Sequence, residues 1–310
     1  MQARPKMGSV DILSVAKWCL HLARSGGGII RSVCQSGCLN AVNKDVDGNE
    51  FDPTTEADSQ TQTWIIGNLR RQFPNLTVIG EEEQDDIIPS SLQCTALPID
   101  IDRDPYFNRN LWPTNLGFAK ADDVCIFVDP VDGTTDLTKG KYEAVTVLVG
   151  LAISGKPVYG VVHYPFSEET VFAAVGHPSN KLPIDHPRKA PQDNVIVTSA
   201  SHLDESVQKY FDGLNPPPAK IIRAGGCGHK VMMVLNGLAD AYLYPRSGTK
   251  KWDTCAPGAI INAFGGRLTD AYGRDLIYDP SAPLNNQDGI MCALTADLTP
   301  YIITKEIFYP

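Results

Sequence analysis

The most constraining stretch of this 310-residue chain is an apolar run, Val124-Cys125-Ile126-Phe127-Val128, that passes directly into Asp129-Pro130-Val131-Asp132-Gly133-Thr134-Thr135. The run predicts a buried strand. Pro130 has no amide hydrogen and stops a sheet ladder, while Gly133 permits a tight turn. Two carboxylates three residues apart are thereby delivered to a strand end. With the Val131 carbonyl between them they make an all-oxygen set able to share a divalent cation. Mg²⁺ suits such a set, since it keeps waters and accepts phosphate oxygens as further ligands. The same residues also read as an Asx turn with solvated acids, so this cluster alone leaves both readings open.

Three other clusters have equally plain alternatives. Asp52-Pro53-Thr54-Thr55-Glu56-Ala57-Asp58 could be a turn before a helix, and Gly80-Glu81-Glu82-Glu83, after a short strand, a solvated acidic turn. Trp252-Asp253-Thr254 could simply cap a helix. Gly225-Gly226-Cys227-Gly228 precedes a helical segment, where free amides can face an anion beside Lys230, but it lacks the P-loop spacing.

Elsewhere the patterning predicts an α+β first lobe and an α/β second lobe. Ile12, Val15, Ala16, Cys19 and Ala23 follow a helical period that Gly26-Gly27-Gly28 is expected to end or loosen. A second helix is predicted over 57–71. Strands are predicted at 76–79, 124–128, 145–152, 158–164 and 171–175, the last four as an antiparallel meander. Residues 84–122 read as an irregular insertion rather than a core element. A proline-dotted stretch places the lobe boundary between residues 185 and 186, giving lobes 1–185 and 186–310. The second lobe alternates strands at 195–198, 220–224, 241–244 and 267–269 with helices at 204–214, 230–238 and 254–264.

The chain carries 27 basic against 36 acidic residues, a net charge of −9, which argues against a nucleic-acid polymer as partner. An anionic small molecule stays open, because a bound cation inverts the local field. Eight cysteines are too sparse for a disulfide scaffold and imply reduced thiols in the cytoplasm. Cys34 and Cys38 have no second pair with finger-like spacing. No apolar run reaches about 18 residues, and the N-terminal residues lack an apolar signal core, so neither membrane insertion nor a leader is expected.

Taken together and in this order, Asp-x-x-Thr-x-Ala-Asp, Gly-Glu-Glu, Asp-Pro-x-Asp-Gly-Thr and Trp-Asp resemble the inositol monophosphatase superfamily of Mg²⁺-dependent, lithium-inhibited phosphatases, over roughly residues 10–295. Residues 223–230, 250–257 and Thr198-Ser199-Ala200-Ser201-His202 look most like the 3′(2′),5′-bisphosphate nucleotidase branch. Gly258 and Tyr244-Pro245 depart from that branch's pattern, and inositol polyphosphate 1-phosphatases share much of the framework. The resemblance implies a layered αβαβα sandwich and two or three Mg²⁺ ions. It assigns Glu81, Asp129, the Val131 carbonyl, Asp132 and Asp253 to the metals. Asp52 and Thr134 would activate water, and Ser199, His202, Gly226 and Lys230 would contact substrate. The implied partner is a small phosphorylated molecule, an adenosine bisphosphate or an inositol phosphate, acted on by a monomer or homodimer. With every one of these acids and Thr134 present, a silent binding module is the less favoured class.

Overall fold

Two five-stranded sheets organise the computed structural model, which describes residues 8–44, 52–82, 88–178, 194–200 and 205–303. Two short antiparallel ribbons join β1 (Ser9–Asp11) to β5 (Phe118–Lys120) and β2 (Val42–Asn43) to β3 (Pro53–Thr54). The first sheet has the order β4 (Thr77–Gly80), β6 (Val124–Asp132), β7 (Thr146–Ile153), β8 (Lys156–His163), β9 (Thr170–Ala174). Strands β6 to β9 form the expected meander, whereas β4 joins β6 in parallel. The second sheet has the order β11 (Lys220–Ala224), β10 (Val195–Ser199), β12 (Ala241–Tyr244), β14 (Ile290–Ala293), β13 (Arg267–Thr269). Its first three strands are parallel, and β14 and β13 run antiparallel.

The layering follows from residue alternation along the strands. Ile126 and Val128 face helices α1 (Ile12–Ser36) and α2 (Glu56–Gln72), while Cys125 and Phe127 face the opposite way, toward α6 (Cys227–Leu235) and α7 (Lys251–Ala263). In the second sheet Tyr242, Tyr244 and Cys292 meet that same middle layer. Leu243, Met291 and Ala293 instead cover α5 (Glu205–Asp212) with Val207, Tyr210 and Phe211. The result is the αβαβα sandwich. Two further helices, α3 (Ile99–Asp102) and α4 (Thr134–Thr138), are single turns.

The middle layer closes because two glycines leave room for it. Gly150 and Gly160 are directly paired across β7 and β8, and a Cβ at either would overlap the Ala256 backbone of α7. Helix α7 therefore lies flat on the first sheet.

Several sequence expectations are corrected. Helix α1 runs through Gly26-Gly27-Gly28 to Ser36. There Gly26 packs on Thr61 and Ile65 of α2, and a Cβ at Gly27 would overlap the His163 ring. These glycines serve close approach to neighbours, not termination. In the region read as an insertion, Ile101, Phe107, Trp112 and Leu116 are buried in the first core cluster, so it is core cover. Strand β14 has no counterpart in the sequence reading, and α6 and α7 each begin three residues earlier than expected. The boundary between residues 185 and 186 lies outside the described residues. No described helix is long and apolar enough to cross a membrane.

Candidate active site

Strand β6 is buried along its whole length and carries Asp129 and Asp132 to its C-terminal end, where the register with β7 shifts between them. Gly133 follows at φ 93°, a conformation glycine tolerates, and α4 starts at Thr134. The turn opens a cleft of about 340 Å³ at the strand ends. Its lining includes Asp52, Glu81, Asp129, Val131, Asp132, Thr134, Ser199, Gly226, Lys230 and Asp253. All but one of the residues expected at the site thus share one cavity. The exception, His202, lies outside the described residues.

Asp132 is held from several sides. Its Oδ1 accepts from the Cys227 amide at 2.7 Å, and its Oδ2 accepts from the Gly228 amide and the Thr146 hydroxyl, both at 2.8 Å. The free amides of α6 therefore already face an anion, and that anion is Asp132. A Cβ at Gly226 would overlap the Ala144 carbonyl, and one at Gly228 the Leu148 side chain at 2.6 Å, with Asp132 Oδ2 close behind at 3.0 and 3.2 Å, which accounts for glycine at both positions. Lys230 is 4% exposed, donates from Nζ to the Gly226 carbonyl at 2.6 Å and lies over the Tyr242 ring. Its ammonium fastens the glycine loop, and burial pulls its pKa down.

Asp253 is the third residue of α7, not its cap, and its Oδ2 accepts from the Lys250 amide at 2.6 Å. Burial and then the nearby Glu81 and Asp132 charges push its carboxyl up to about 7. Asp129 is raised well above the usual range by burial, then by Glu81, Asp132 and Asp253. Three crowded acids, Asp129 and Asp132 buried and Asp253 partly so, resist ionising together and form a site that a cation would stabilise. At the outer edge, Lys44 Nζ donates to Glu81 at 2.8 Å and to Glu82 at 2.6 Å. Among the described residues no three such ligands already converge on one point. The all-oxygen donor set nevertheless fits Mg²⁺, and Glu81 would have to give up Lys44 to hold one.

The structure changes the partner of Thr134. Its hydroxyl lies 3.0 Å from Asp58 Oδ1 and 2.7 Å from the Val131 carbonyl, able to donate to either. Asp58 is fully buried one turn into α2, and its other oxygen accepts the Thr55 amide at 2.8 Å. Burial, opposed by the Thr55 hydroxyl and reinforced by Glu81 and Glu82, raises its carboxyl to about 7. Asp52, the residue expected to pair with Thr134, is exposed at the cleft margin. The spacing Thr55-x-x-Asp58 of a capping box was legible in the chain, but a capping acid is normally solvent-facing. Only tertiary packing brings Asp58 to Thr134.

An acid-lined cleft at the strand ends of a sandwich, beside a buried Thr–Asp pair, is suited to hydrolysis of phosphate esters. The inositol monophosphatase family model matches residues 11–305, and the chain belongs to that family of phosphoric monoester hydrolases. It is 35% identical over 308 residues to "3′(2′),5′-bisphosphate nucleotidase 1" of Dictyostelium discoideum, covering 93% of this chain and 94% of that protein. Identity to the human protein of the same name is 32% over 284 residues, covering 88% of each. Among solved structures, the extragenic suppressor protein suhB from Bartonella henselae superposes with a TM-score of 0.65 at 20% identity, covering 90% of this chain and 93% of that one.

Proposed function

We propose that this chain is a Mg²⁺-dependent, lithium-inhibited phosphomonoesterase that removes the 3′- (or 2′-) phosphate of adenosine 3′(2′),5′-bisphosphate, leaving AMP and phosphate. The observation that carries the reading is the gathering of Glu81, Asp129, Asp132, Asp253 and Thr134 in one cleft that Ser199 and Gly226 of the second lobe also line. The choice of a nucleotide rests on the names of the relatives at 32–35% identity.

In this reading Glu81, Asp129, the Val131 carbonyl, Asp132 and Asp253 hold Mg²⁺, which when bound acidifies water and offsets charge on the phosphate oxygens. The chain's own residues do the rest. The Thr134 hydroxyl takes a proton from the attacking water as it passes its own proton to Asp58 Oδ1. A carboxyl held near neutrality is matched to receive that proton. Ser199 and the Gly225-Gly226 turn bound the substrate from the second sheet, and Lys230 keeps that turn in place.

Phosphate release should be measured from adenosine 3′,5′- and 2′,5′-bisphosphates, inositol 1,4-bisphosphate and inositol 1-phosphate, with Mg²⁺ and with excess chelator. The nucleotides should lead, and chelator should abolish turnover. A preference for inositol 1,4-bisphosphate would reassign the substrate, and full turnover in chelator would refute the metal role.

A further inference from the structure

A bisphosphate carries a second anion that the reacting centre does not neutralise, in a chain of net charge −9. That anion needs cations of its own. Two expected sources are already engaged. The α6 amides of Cys227 and Gly228 are bonded to Asp132, and the Lys230 ammonium is buried on the Gly226 carbonyl and the Tyr242 ring. Among the described residues no arginine lines the cleft, and the remaining lysines that do are Lys139 and Lys141.

Both stand on the turn after α4. The Lys139 amide donates to the Asp136 carbonyl at 3.1 Å and the Lys141 amide to the same carbonyl at 2.9 Å, while Gly140 between them takes φ 69°. One carbonyl thus gathers the two backbone positions flanking a left-handed glycine. Both side chains line the catalytic cleft and are exposed. Neither ammonium has a carboxylate or carbonyl partner among the described residues, in contrast to Lys44, Lys230 and Lys251, which are all bonded. The turn is tied to the reacting centre through α4, whose first residue is Thr134.

From this placement we propose that Lys139 and Lys141 form a second-anion subsite of the catalytic cleft. The pair receives the phosphate that is not hydrolysed and sets a preference for bisphosphates over simple monoesters. The inference rests on the phosphomonoesterase reading above but not on its choice of nucleotide. Flexible, hydrated lysines suit such a task, because they follow a phosphate as a point charge and do not demand one orientation of the ring that carries it.

The test compares wild type with Lys139→Ala, Lys141→Ala, the double variant and the charge-keeping Lys139→Arg/Lys141→Arg. Adenosine 3′,5′-bisphosphate is set against adenosine 3′-monophosphate. In the double alanine variant, kcat/KM for the bisphosphate should fall about ten- to a hundredfold, mainly through KM. The monoester should fall by less than about threefold, and the arginine pair should restore most of the difference. Raising salt should erode the wild-type preference more than that of the variant, since exposed charges are screened. Calorimetric binding of 5′-AMP, which keeps the second phosphate, gives a readout without turnover, and its Kd should rise about tenfold or more.

Equal losses on both substrates, or an unchanged Kd for 5′-AMP in an enzyme that turns over nucleotides, would overturn the subsite. If wild type instead prefers inositol 1,4-bisphosphate, the nucleotide reading fails. The lysine comparison then proceeds with inositol 1,4-bisphosphate against inositol 1-phosphate, with the same expectations. A wild type with no preference for either bisphosphate over its monoester would remove the subsite whatever the ring.

Discussion

Asp132 and Glu81 line the same cleft but are held in opposite ways. Asp132 is fixed by two backbone amides of α6 and the hydroxyl of Thr146 in the neighbouring strand β7. Glu81 stands just past β4, paired with Lys44, which follows β2 of a two-stranded ribbon. One acid is positioned by hydrogen bonds from packed elements, the other by a charge that a metal could replace. The inner half of the site is therefore held by protein donors alone, and under the proposed function the outer half would be completed by exchange. Each of the following experiments presses on that contrast, beginning with the largest effect.

Asp132→Asn should lower kcat by about a thousandfold or more at saturating Mg²⁺, because it removes a buried charge facing the cation. From sequence alone the fold would be expected to survive with little loss, since crowded acids repel one another. The hydrogen bonds revise that expectation. Three donors point at the two oxygens, and an amide offers only one acceptor, so its NH2 group would confront a donor. The cost is about 1–3 kcal/mol for the donor left unpaired, partly offset by relieved repulsion. Thermal melting should show a lower Tm without metal. A wild-type kcat would remove Asp132 from the ion site, and an unchanged Tm would mean that the three donors find other partners.

The next largest effect separates two aspartates. Asp58→Asn should reduce kcat by about a hundred- to a thousandfold, because the amide cannot take the proton that Thr134 relays. Asp52→Asn should cost much less, since its side chain stands at the exposed margin. Steady-state rates of the two variants decide between them. The reverse ranking would return the proton to Asp52 and make Asp58 a capping residue only.

Stability of the inner half can be attacked without touching an acid. Gly160→Ala drives a Cβ into the Ala256 carbonyl of α7, the helix that carries Asp253. Overpacking against backbone costs about 1–3 kcal/mol. Urea denaturation should show a lower midpoint with an unchanged slope, and kcat should fall with the displaced Asp253. A variant as stable and as active as wild type would mean that α7 can shift off the sheet without disturbing the site.

What could be read from the chain tracks how local the cause is. The strand ending in Asp129-Pro130 and the turn at Gly133 follow from neighbouring residues, and the sequence predicts both. The αβαβα layering came through the resemblance, and the alternation along β6, β12 and β14 explains it afterwards. Gly27 is different: its reason is the His163 ring, 136 positions away and brought there by β8. The pairing of Thr134 with Asp58 spans 76 positions, and periodicity carries no trace of it. A lysine after a glycine-rich turn suggests a phosphate contact, and Lys230 does line the cleft. Its burial over Tyr242 depends on where β12 lies, which nothing near Lys230 encodes.

The smallest expected effect probes the outer half. Lys44 is tied to Asp52 through its amide, which donates to the Asp52 carbonyl at 2.7 Å, and to Glu81 and Glu82 through its ammonium. Burial alone would lower its pKa, but the two glutamates more than reverse that, so the ammonium is charged whenever they are. A cation binding at Glu81 must displace it. Lys44→Met keeps the apolar stem and removes the competitor. A partly exposed ion pair of this kind is worth about 0.2–1 kcal/mol, which is roughly a one-and-a-half- to fivefold change in an equilibrium. Titrating Mg²⁺ while following Tm should give a midpoint lower by about that factor in the variant. Its metal-free Tm should drop slightly, because Glu81 and Glu82 then repel each other uncompensated. If the midpoint rises instead, Lys44 is holding Glu81 in its ligating position rather than competing for it. The outer half of the site would then be prearranged like the inner one, and the contrast between Asp132 and Glu81 would disappear.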